Sequence, residues 1–343
     1  MDDNLSRRNV LKLAALFVAT LSLEGAFPGR LFAQSASGDA TVSKKLAPLS
    51  NDAQNSYALQ NSSNFKAIYQ DPQLKTAFFL FLKNVYNLYP EERFHRLIAE
   101  VTSTGGSDKE IYKVAQGRIG DIKPFLSDVR YALPALMQQK VEMARETLKL
   151  LGASRKINGY MEIGTTGRYV SEFKSDVVLS GDLVLVHTDE PGFSPTDIVE
   201  RGRISKLGRF VSLKDYSPVT SLEVADSSLD LISNFIGFHH SPPPKRDAFV
   251  KSLHRVLRPG GRMIVRDHDV NSTRMNRMVA LAHDVFNMGL GTDWSANQSE
   301  IRNFTSMNQL VAYLEQSGFK STKKMLFQPG DPTQNALMEF VRV

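Results

Sequence analysis

The chain has 343 residues, of which 42% are hydrophobic, and this length allows one large or two modest domains with a substantial core. The formal net charge of +6 at pH 7 is spread along the sequence without a clustered basic face, so we expect no nucleic-acid partner. The sequence contains no cysteine, which excludes disulfides and thiolate metal sites.

The first 35 residues have the order of a secretory signal. Residues 6–12 read SRRNVLK and resemble the twin-arginine export motif; an apolar run and a small-residue region follow. That run is shorter than the ~20 apolar residues that span a bilayer, so we expect no stable membrane span. We therefore predict a cleaved signal over residues 1–35, a periplasmic location, and the twin-arginine translocase as a partner during export. The alternative is an uncleaved signal that tethers the chain to the membrane.

Residues 36–64 form a predicted linker, rich in Ser, Ala, Asn and Asp. Apolar residues at helical spacing then predict helices over residues 65–101, 109–115 and 121–151. We predict that residues 65–141 are a helical extension, packed on the following domain and covering its ligand-binding mouth. Its aromatic residues are expected in the core: Phe78, Phe79, Phe81, Tyr86 and Tyr89.

In residues 142–343, strand-like runs alternate with helical ones. Residues 159–167 read GYMEIGTTG, a strand that ends in a turn containing Gly164 and Gly167. Residues 182–190, DLVLVHTDE, are a second predicted strand, and residues 209–213 are a third. Each of the latter two strands is followed by acidic residues.

A strand–helix–strand unit comes next. The apolar run over residues 229–234 has strand length, and residues 245–257 place apolar side chains on one helical face. The sequence RPGG at residues 258–261 ends that helix, because proline cannot continue it and glycine accepts positive φ. Residues 262–267 return as a strand, so we expect a right-handed crossover joining two parallel strands.

The C-terminal part contains a predicted helix over residues 274–288 and two predicted strands, residues 319–327 and 336–343, separated by the turn QPGDPTQN. Trp294, the single tryptophan, lies in a polar loop after the helix. It either lines a pocket or packs that loop onto the sheet.

These elements, with the paired histidines and the sequence HRVLRPGGR between the fourth and fifth strands, resemble class I S-adenosylmethionine-dependent methyltransferases of the type 11-like group. The resemblance covers about residues 142–343. It implies an α/β fold: a Rossmann-like seven-stranded methyltransferase sheet with helices on both faces, preceded by the helical N-terminal extension. The terminal pair of strands fits this family better than a nicotinamide-binding domain.

The resemblance also implies S-adenosylmethionine as the cofactor, bound at the carboxyl ends of the strands. The family's turn is E/D-x-G-x-G-x-G; this chain keeps the acid and two glycines but lacks the middle glycine. Asp189 or Glu190 would meet the ribose hydroxyls and Asp215 the adenine, unless these acids are solvated turn residues or helix caps. The implied cofactor-binding residues are Glu162, Gly164, Gly167, Asp189, Glu190, Asp215 and Asn234.

Methyl transfer is a displacement on an activated sulfonium, so positioning supplies most of the catalysis and a base is needed only for a protonated nucleophile. His239, His240 and Asp267 follow the fourth and fifth strands and are the catalytic candidates. The alternative is that at least one of the histidines is structural. Adjacent residues on an extended chain point to opposite sides, so Asp267, His268 and Asp269 should not converge, and we predict no metal site.

The sequence therefore predicts S-adenosylmethionine-dependent methyl transfer to a small-molecule or envelope acceptor. The alternative is an exported, non-catalytic ligand-binding protein on a degenerate methyltransferase scaffold. The shortened glycine turn favours this alternative. So does the export signal, because S-adenosylmethionine is made in the cytoplasm.

Overall fold

The computed structural model describes residues 63–153, 156–173 and 176–343. The predicted signal peptide lies outside these residues, as does the predicted linker up to residue 62. Cleavage, export and tethering therefore stay predictions from the sequence.

Helices precede the strands in the described chain, and strands and helices then alternate. None of the described helices combines the length and apolar character needed to cross a bilayer. The strands are β1 (Lys156–Ile163), β2 (Val178–His187), β3 (Arg209–Ser212), β4 (Leu229–Asn234), β5 (Leu257–His268), β6 (Phe319–Phe327) and β7 (Asn335–Arg342). The α-helices are α1 (Asn64–Tyr69), α2 (Pro72–Phe81), α3 (Glu91–Ser103), α4 (Asp108–Gly117), α5 (Ile119–Ile122), α6 (Leu133–Leu151), α7 (Val170–Phe173), α8 (Pro195–Arg201), α9 (Pro243–Val256), α10 (Thr273–Gly289), α11 (Trp294–Ser299) and α12 (Met307–Gln316).

The helical character predicted for residues 65–101 is confirmed, but the chain forms the separate helices α1, α2 and α3 there. Asp71 caps α2, and its carboxylate accepts hydrogen bonds from the amides of Gln73 and Leu74 at 2.9 and 3.0 Å. Pro72 begins that helix and disfavours a helical conformation in the residue before it. Pro90 directly precedes α3 and marks its start, because proline cannot continue a helix from the residues before it.

The other two predicted N-terminal helices differ in their outcome. The helix predicted over residues 109–115 is confirmed as α4, and the Ser107 side chain caps it in a capping box with Glu110. The helix predicted over residues 121–151 begins later, at Leu133, after a π-helical turn at Asp128–Ala132. Leu126 interrupts the run because its φ of +63° lies in the left-handed region.

The N-terminal helices pack on α10, the helix that follows β5. Their core also contains Met278, Leu281 and Val285 of α10, all buried. The predicted core position is confirmed for Phe78, Phe81, Tyr86 and Tyr89, whereas Phe79 is half-buried.

The seven strands form one sheet in the order β3-β2-β1-β4-β5-β7-β6. The first five pair in parallel, whereas β7 runs antiparallel to both β5 and β6. Helices cover both faces: α9 and α12 contribute to the core on one face, and α6 and α7 to the core on the other. This is the Rossmann-like methyltransferase fold that the sequence predicts.

The strand–helix–strand unit is confirmed, with one change at its turn. β4 has the predicted bounds, and α9 ends one residue earlier than predicted, at Val256. Leu257 already pairs with Leu229, and Arg262 pairs with Leu231. The RPGG sequence is therefore a bulge within β5, where Gly260 has a φ of +76°.

Replacing Leu281 by Ala tests whether the extension depends on α10. Leu281 is fully buried in the shared core, so we expect Leu281→Ala to lower the free energy of unfolding by about 2–5 kcal/mol. The matched control is Leu80→Ala, because Leu80 is 42% exposed on α2. Urea unfolding measures both variants, and equal losses would contradict the shared core.

Candidate functional site

A buried carboxylate closes the turn after β1. Glu162 is fully buried, and its side chain accepts hydrogen bonds from the amides of Tyr169 and Val170 at 3.3 and 3.0 Å. It also accepts from the hydroxyl of Tyr160 at 3.1 Å and from that of Thr165. Burial raises the pKa of Glu162 above its usual value, and these donors offset the rise only in part. The carboxylate thus ties both ends of the glycine turn to the strand that precedes it.

The two glycines of this turn are in the left-handed region, with φ of +89° at Gly164 and +96° at Gly167. The Gly164 amide donates to the carbonyl of Val186 in β2 at 2.8 Å. A Cβ at Gly164 would overlap the side chain of Ile236, which follows β4. Ile236 therefore packs directly on the turn, in the space that the glycine leaves.

Asn234, the last residue of β4, lies beside this turn. It pairs with Ile163, the residue before Gly164. Asn234 is fully buried, yet neither its Oδ1 nor its Nδ2 has a hydrogen-bond partner among the described residues, and the same is true of Thr166 Oγ1. Buried amides without partners are rare and suggest a missing ligand. Asn234 is the predicted cofactor residue whose surroundings best fit that role.

The predicted adenosine-binding acids lie on the surface. Asp189 and Glu190 are exposed, and the Glu190 carboxylate pairs with Lys206 at 2.9 Å. Asp215 is exposed as well and pairs with Lys245 at 2.7 Å. The structure thus leaves these acids within reach of solvent, and their roles stay predictions.

The structure brings His239 and Asp267 together at the ends of β4 and β5. Nδ1 of His239 lies 2.5 Å from Oδ1 of Asp267, whose Oδ2 accepts from the Phe238 amide at 2.9 Å. Because a carboxylate only accepts, Nδ1 of His239 donates to Asp267, and Nε2 is the ring nitrogen that Asp267 does not bind. Gly237 permits this approach, since a Cβ there would lie 2.6 Å from the His239 ring.

His240 and His268 join this pair. The His240 ring centroid lies 4.0 Å from that of His239, and the His268 centroid lies 5.6 Å from it. Burial, together with the neighbouring histidines His239 and His283, holds the pKa of His240 and of His268 well below the ordinary value. Both rings are therefore neutral at neutral pH.

Burial disfavours the charged form of Asp267, but His239 and the hydrogen bonds around the carboxylate outweigh it and lower the pKa of Asp267. Asp267 is thus an anion at neutral pH. Asp269 points elsewhere, and its Oδ1 accepts from the amide of Met307 at 2.8 Å at the start of α12.

Sequence reasoning missed His283, which α10 brings to the same cluster. Its ring centroid lies 5.2 Å from that of His239 and 5.3 Å from that of His240. Its Nδ1 lies 3.5 Å from Oε1 of Glu300. The one sequence signal for His283 is its position among the apolar residues of a predicted helix, where a polar side chain is unusual.

An ionic network holds the segment after α11 against α10. Arg302 donates to Asp284 and to Glu300, each at 2.7 Å. Burial disfavours charge on Glu300, but His283 and Arg302 outweigh it and lower the pKa of Glu300.

Trp294 stacks edge-on against Tyr112 of α4, with the ring centroids 5.2 Å apart, so its observed contact is packing.

Two comparisons with known sequences bear on this site. Residues 205–265 match a family model described as a methyltransferase domain, which covers β3, β4, α9 and most of β5. No curated protein matches the chain.

Solved structures with similar folds include several methyltransferases. A 1,6-didemethyltoxoflavin N1-methyltransferase of Burkholderia thailandensis, solved with S-adenosylhomocysteine, is 14% identical over 61% of this chain and 79% of its own, with a TM-score of 0.39. An S-adenosylmethionine-dependent methyltransferase of Mesorhizobium loti is 12% identical over 57% of this chain and 96% of its own, with a TM-score of 0.41. The mitomycin 7-O-methyltransferase is 13% identical over 84% of this chain and 75% of its own, also with a TM-score of 0.41. The assignment of the fold rests on the strand order described above.

Glu162→Gln tests the carboxylate that closes the glycine turn. The amide nitrogen of Gln would face hydrogen-bond donors, so we expect the free energy of unfolding to fall by about 1–3 kcal/mol. The matched control is Glu92→Gln, because Glu92 is exposed on α3. Urea unfolding measures both variants, and an unchanged stability of Glu162→Gln would show that these hydrogen bonds do not hold the turn.

Proposed function

We propose that the protein is an S-adenosylmethionine-dependent methyltransferase that acts on a small-molecule or envelope acceptor. The observation that carries this proposal is the unpartnered amide of Asn234, buried beside the glycine turn at the carboxyl edge of the sheet. Ligands of open α/β sheets bind at this edge. The match of residues 205–265 to a methyltransferase domain supports the same function.

The residues around β1 and β4 fit a bound S-adenosylmethionine in part. The backbone of residues 164–167 would approach it, with Glu162 holding that turn in place, and Asn234 would offer it a donor and an acceptor. When bound, the cofactor supplies a methyl group activated on a sulfonium. Asp189 or Glu190 at the ribose and Asp215 at the adenine belong to the proposal, and Glu190 and Asp215 would have to leave their lysine partners.

The chain's own contribution to the reaction is orientation and proton transfer. The ends of β4 and β5 place the His239–Asp267 pair at the same edge of the sheet as Asn234. With Nδ1 of His239 bound to Asp267, Nε2 is the nitrogen that can take a proton from an acceptor hydroxyl or amine. Asp267 then stabilises the imidazolium, and His240 stays neutral beside it.

Calorimetric titration of S-adenosylhomocysteine into the full chain tests the proposal. We expect a Kd of about 10 µM or tighter, and Asn234→Ala should weaken binding at least about tenfold because it removes two polar contacts. The matched control is Asn84→Ala, because Asn84 is exposed on the surface and its amide bonds the Gly330 carbonyl, away from the glycine turn. No binding at millimolar ligand would overturn the proposal.

A non-catalytic binding protein is the second candidate, and one observation favours it. Ile236 fills the space beside Gly164, so packing alone could account for this glycine. In that case the protein would keep the fold and lose the cofactor.

Ile236→Ala separates the two candidates, since it uncovers the glycine turn. If the first candidate is right, Ile236 does not block the site, and we expect both the natural chain and the variant to bind S-adenosylhomocysteine with similar affinity. The same calorimetric titration measures both chains. Binding by the variant alone would show that the natural site is closed, and the second candidate would replace the first.

A further inference from the structure

Three histidines of the cluster have the arrangement of a metal-binding group. One ring nitrogen from each of His239, His240 and His283 lies within 4.8 Å of one from each of the others. They come from the turn after β4 and from α10, which are far apart in sequence and meet only in the folded chain. A modest inward movement would bring all three nitrogens to the ~2.0–2.1 Å at which imidazole binds zinc.

Nδ1 of each ring lies near an oxygen. Nδ1 of His239 lies 2.5 Å from Asp267, and Nδ1 of His283 lies 3.5 Å from Glu300. Nδ1 of His240 lies 3.2 Å from the Ile301 carbonyl. Histidines that bind metals nearly always donate their second nitrogen to a carboxylate or a carbonyl, which fixes the ring. With Nδ1 held in this way, Nε2 would be the ligand.

The Nε2 atom of His239 points to a missing ligand. His239 is 6% exposed, and its Nε2 has no hydrogen-bond partner among the described residues. A histidine that only supported the loop would be expected to satisfy both nitrogens, because an unpaired buried polar atom costs about 1–3 kcal/mol.

The charge and surroundings of the cluster suit a divalent cation. The carboxylates of Asp267 and Glu300 lie directly behind the three rings and supply negative charge without occupying the ligand positions. Phe304 packs on the rings of His239 and His283, with centroids 5.1 and 5.2 Å away. His283 keeps 15% of its side chain exposed, so the cluster is not fully closed to solvent.

We propose that His239, His240 and His283 bind a divalent transition-metal ion of the zinc class, with Asp267 and Glu300 orienting the ligands. Three imidazoles favour zinc or its neighbours over magnesium and calcium, which prefer oxygen ligands. His268 lies 5.8 Å from His283 between ring centroids and is outside the three-histidine group. The fourth coordination position is left for water or another small ligand.

This site does not depend on methyl transfer, so the proposal goes beyond the proposed function. The two proposals use the same atom, Nε2 of His239, in different ways. In a chain that holds the metal, this nitrogen is a ligand and does not take a proton.

Zinc binding is measured on the full chain without a polyhistidine tag, after treatment with a chelator, by competition with a chromophoric zinc indicator. We expect one zinc ion per chain. His283→Gln should weaken zinc binding at least about 100-fold, and Asp267→Asn about 10–100-fold through the loss of ligand orientation. The matched control for a lost histidine is His254→Gln, because His254 packs on Phe319 outside the cluster and should leave affinity unchanged.

Cobalt(II) added to the unmodified chain gives a second readout that does not depend on any variant folding. We expect the visible absorption bands of four-coordinate cobalt with nitrogen ligands. Absence of zinc binding and of these bands would overturn the proposal. So would zinc binding that His283→Gln and His254→Gln weaken equally. Because neither measurement uses S-adenosylhomocysteine, failure here is distinguishable from failure of the proposed function.

Discussion

The candidate site depends on the hydrogen bonds that the buried carboxylate of Glu162 accepts. It sits at the end of β1, in the middle of the sheet, and accepts hydrogen bonds from the turn that follows and from the start of α7. A buried carboxyl group is tolerated only with such hydrogen-bond partners. The turn that supplies these donors has a positive φ at Gly164, and Asn234 and Ile236 lie against it.

The neighbouring strand ends carry a second buried polar group. Asp267 at the end of β5 joins His239 after β4, and α10 adds His283 with Glu300 behind it. The carboxyl ends of parallel strands lie at one edge of the sheet, so the glycine turn and the histidines lie at the same edge. The N-terminal helices pack on α10 and thereby support the element that completes the cluster.

The fold was predictable where the signal is local. The apolar run of β4 and the PGG sequence after α9 marked the crossover, and the final pair of strands followed from their turn. The helix breaks at Asp71 and Leu126 were missed because apolar spacing continues through them, and only capping and backbone conformation reveal the interruption. Of the site, sequence selected His239, His240 and Asp267 by their strand-end positions. His283 lies on a distant helix, and only tertiary packing joins it to the others.

Hydrogen exchange of the backbone amides, with and without S-adenosylhomocysteine, tests most directly whether this turn binds the cofactor. The account predicts slower exchange at Gly164–Gly167 and in the loop after Asn234 when the ligand is present. Unchanged exchange at the turn in millimolar ligand would contradict it, and the conformation of Gly164 would then serve only the packing of Ile236.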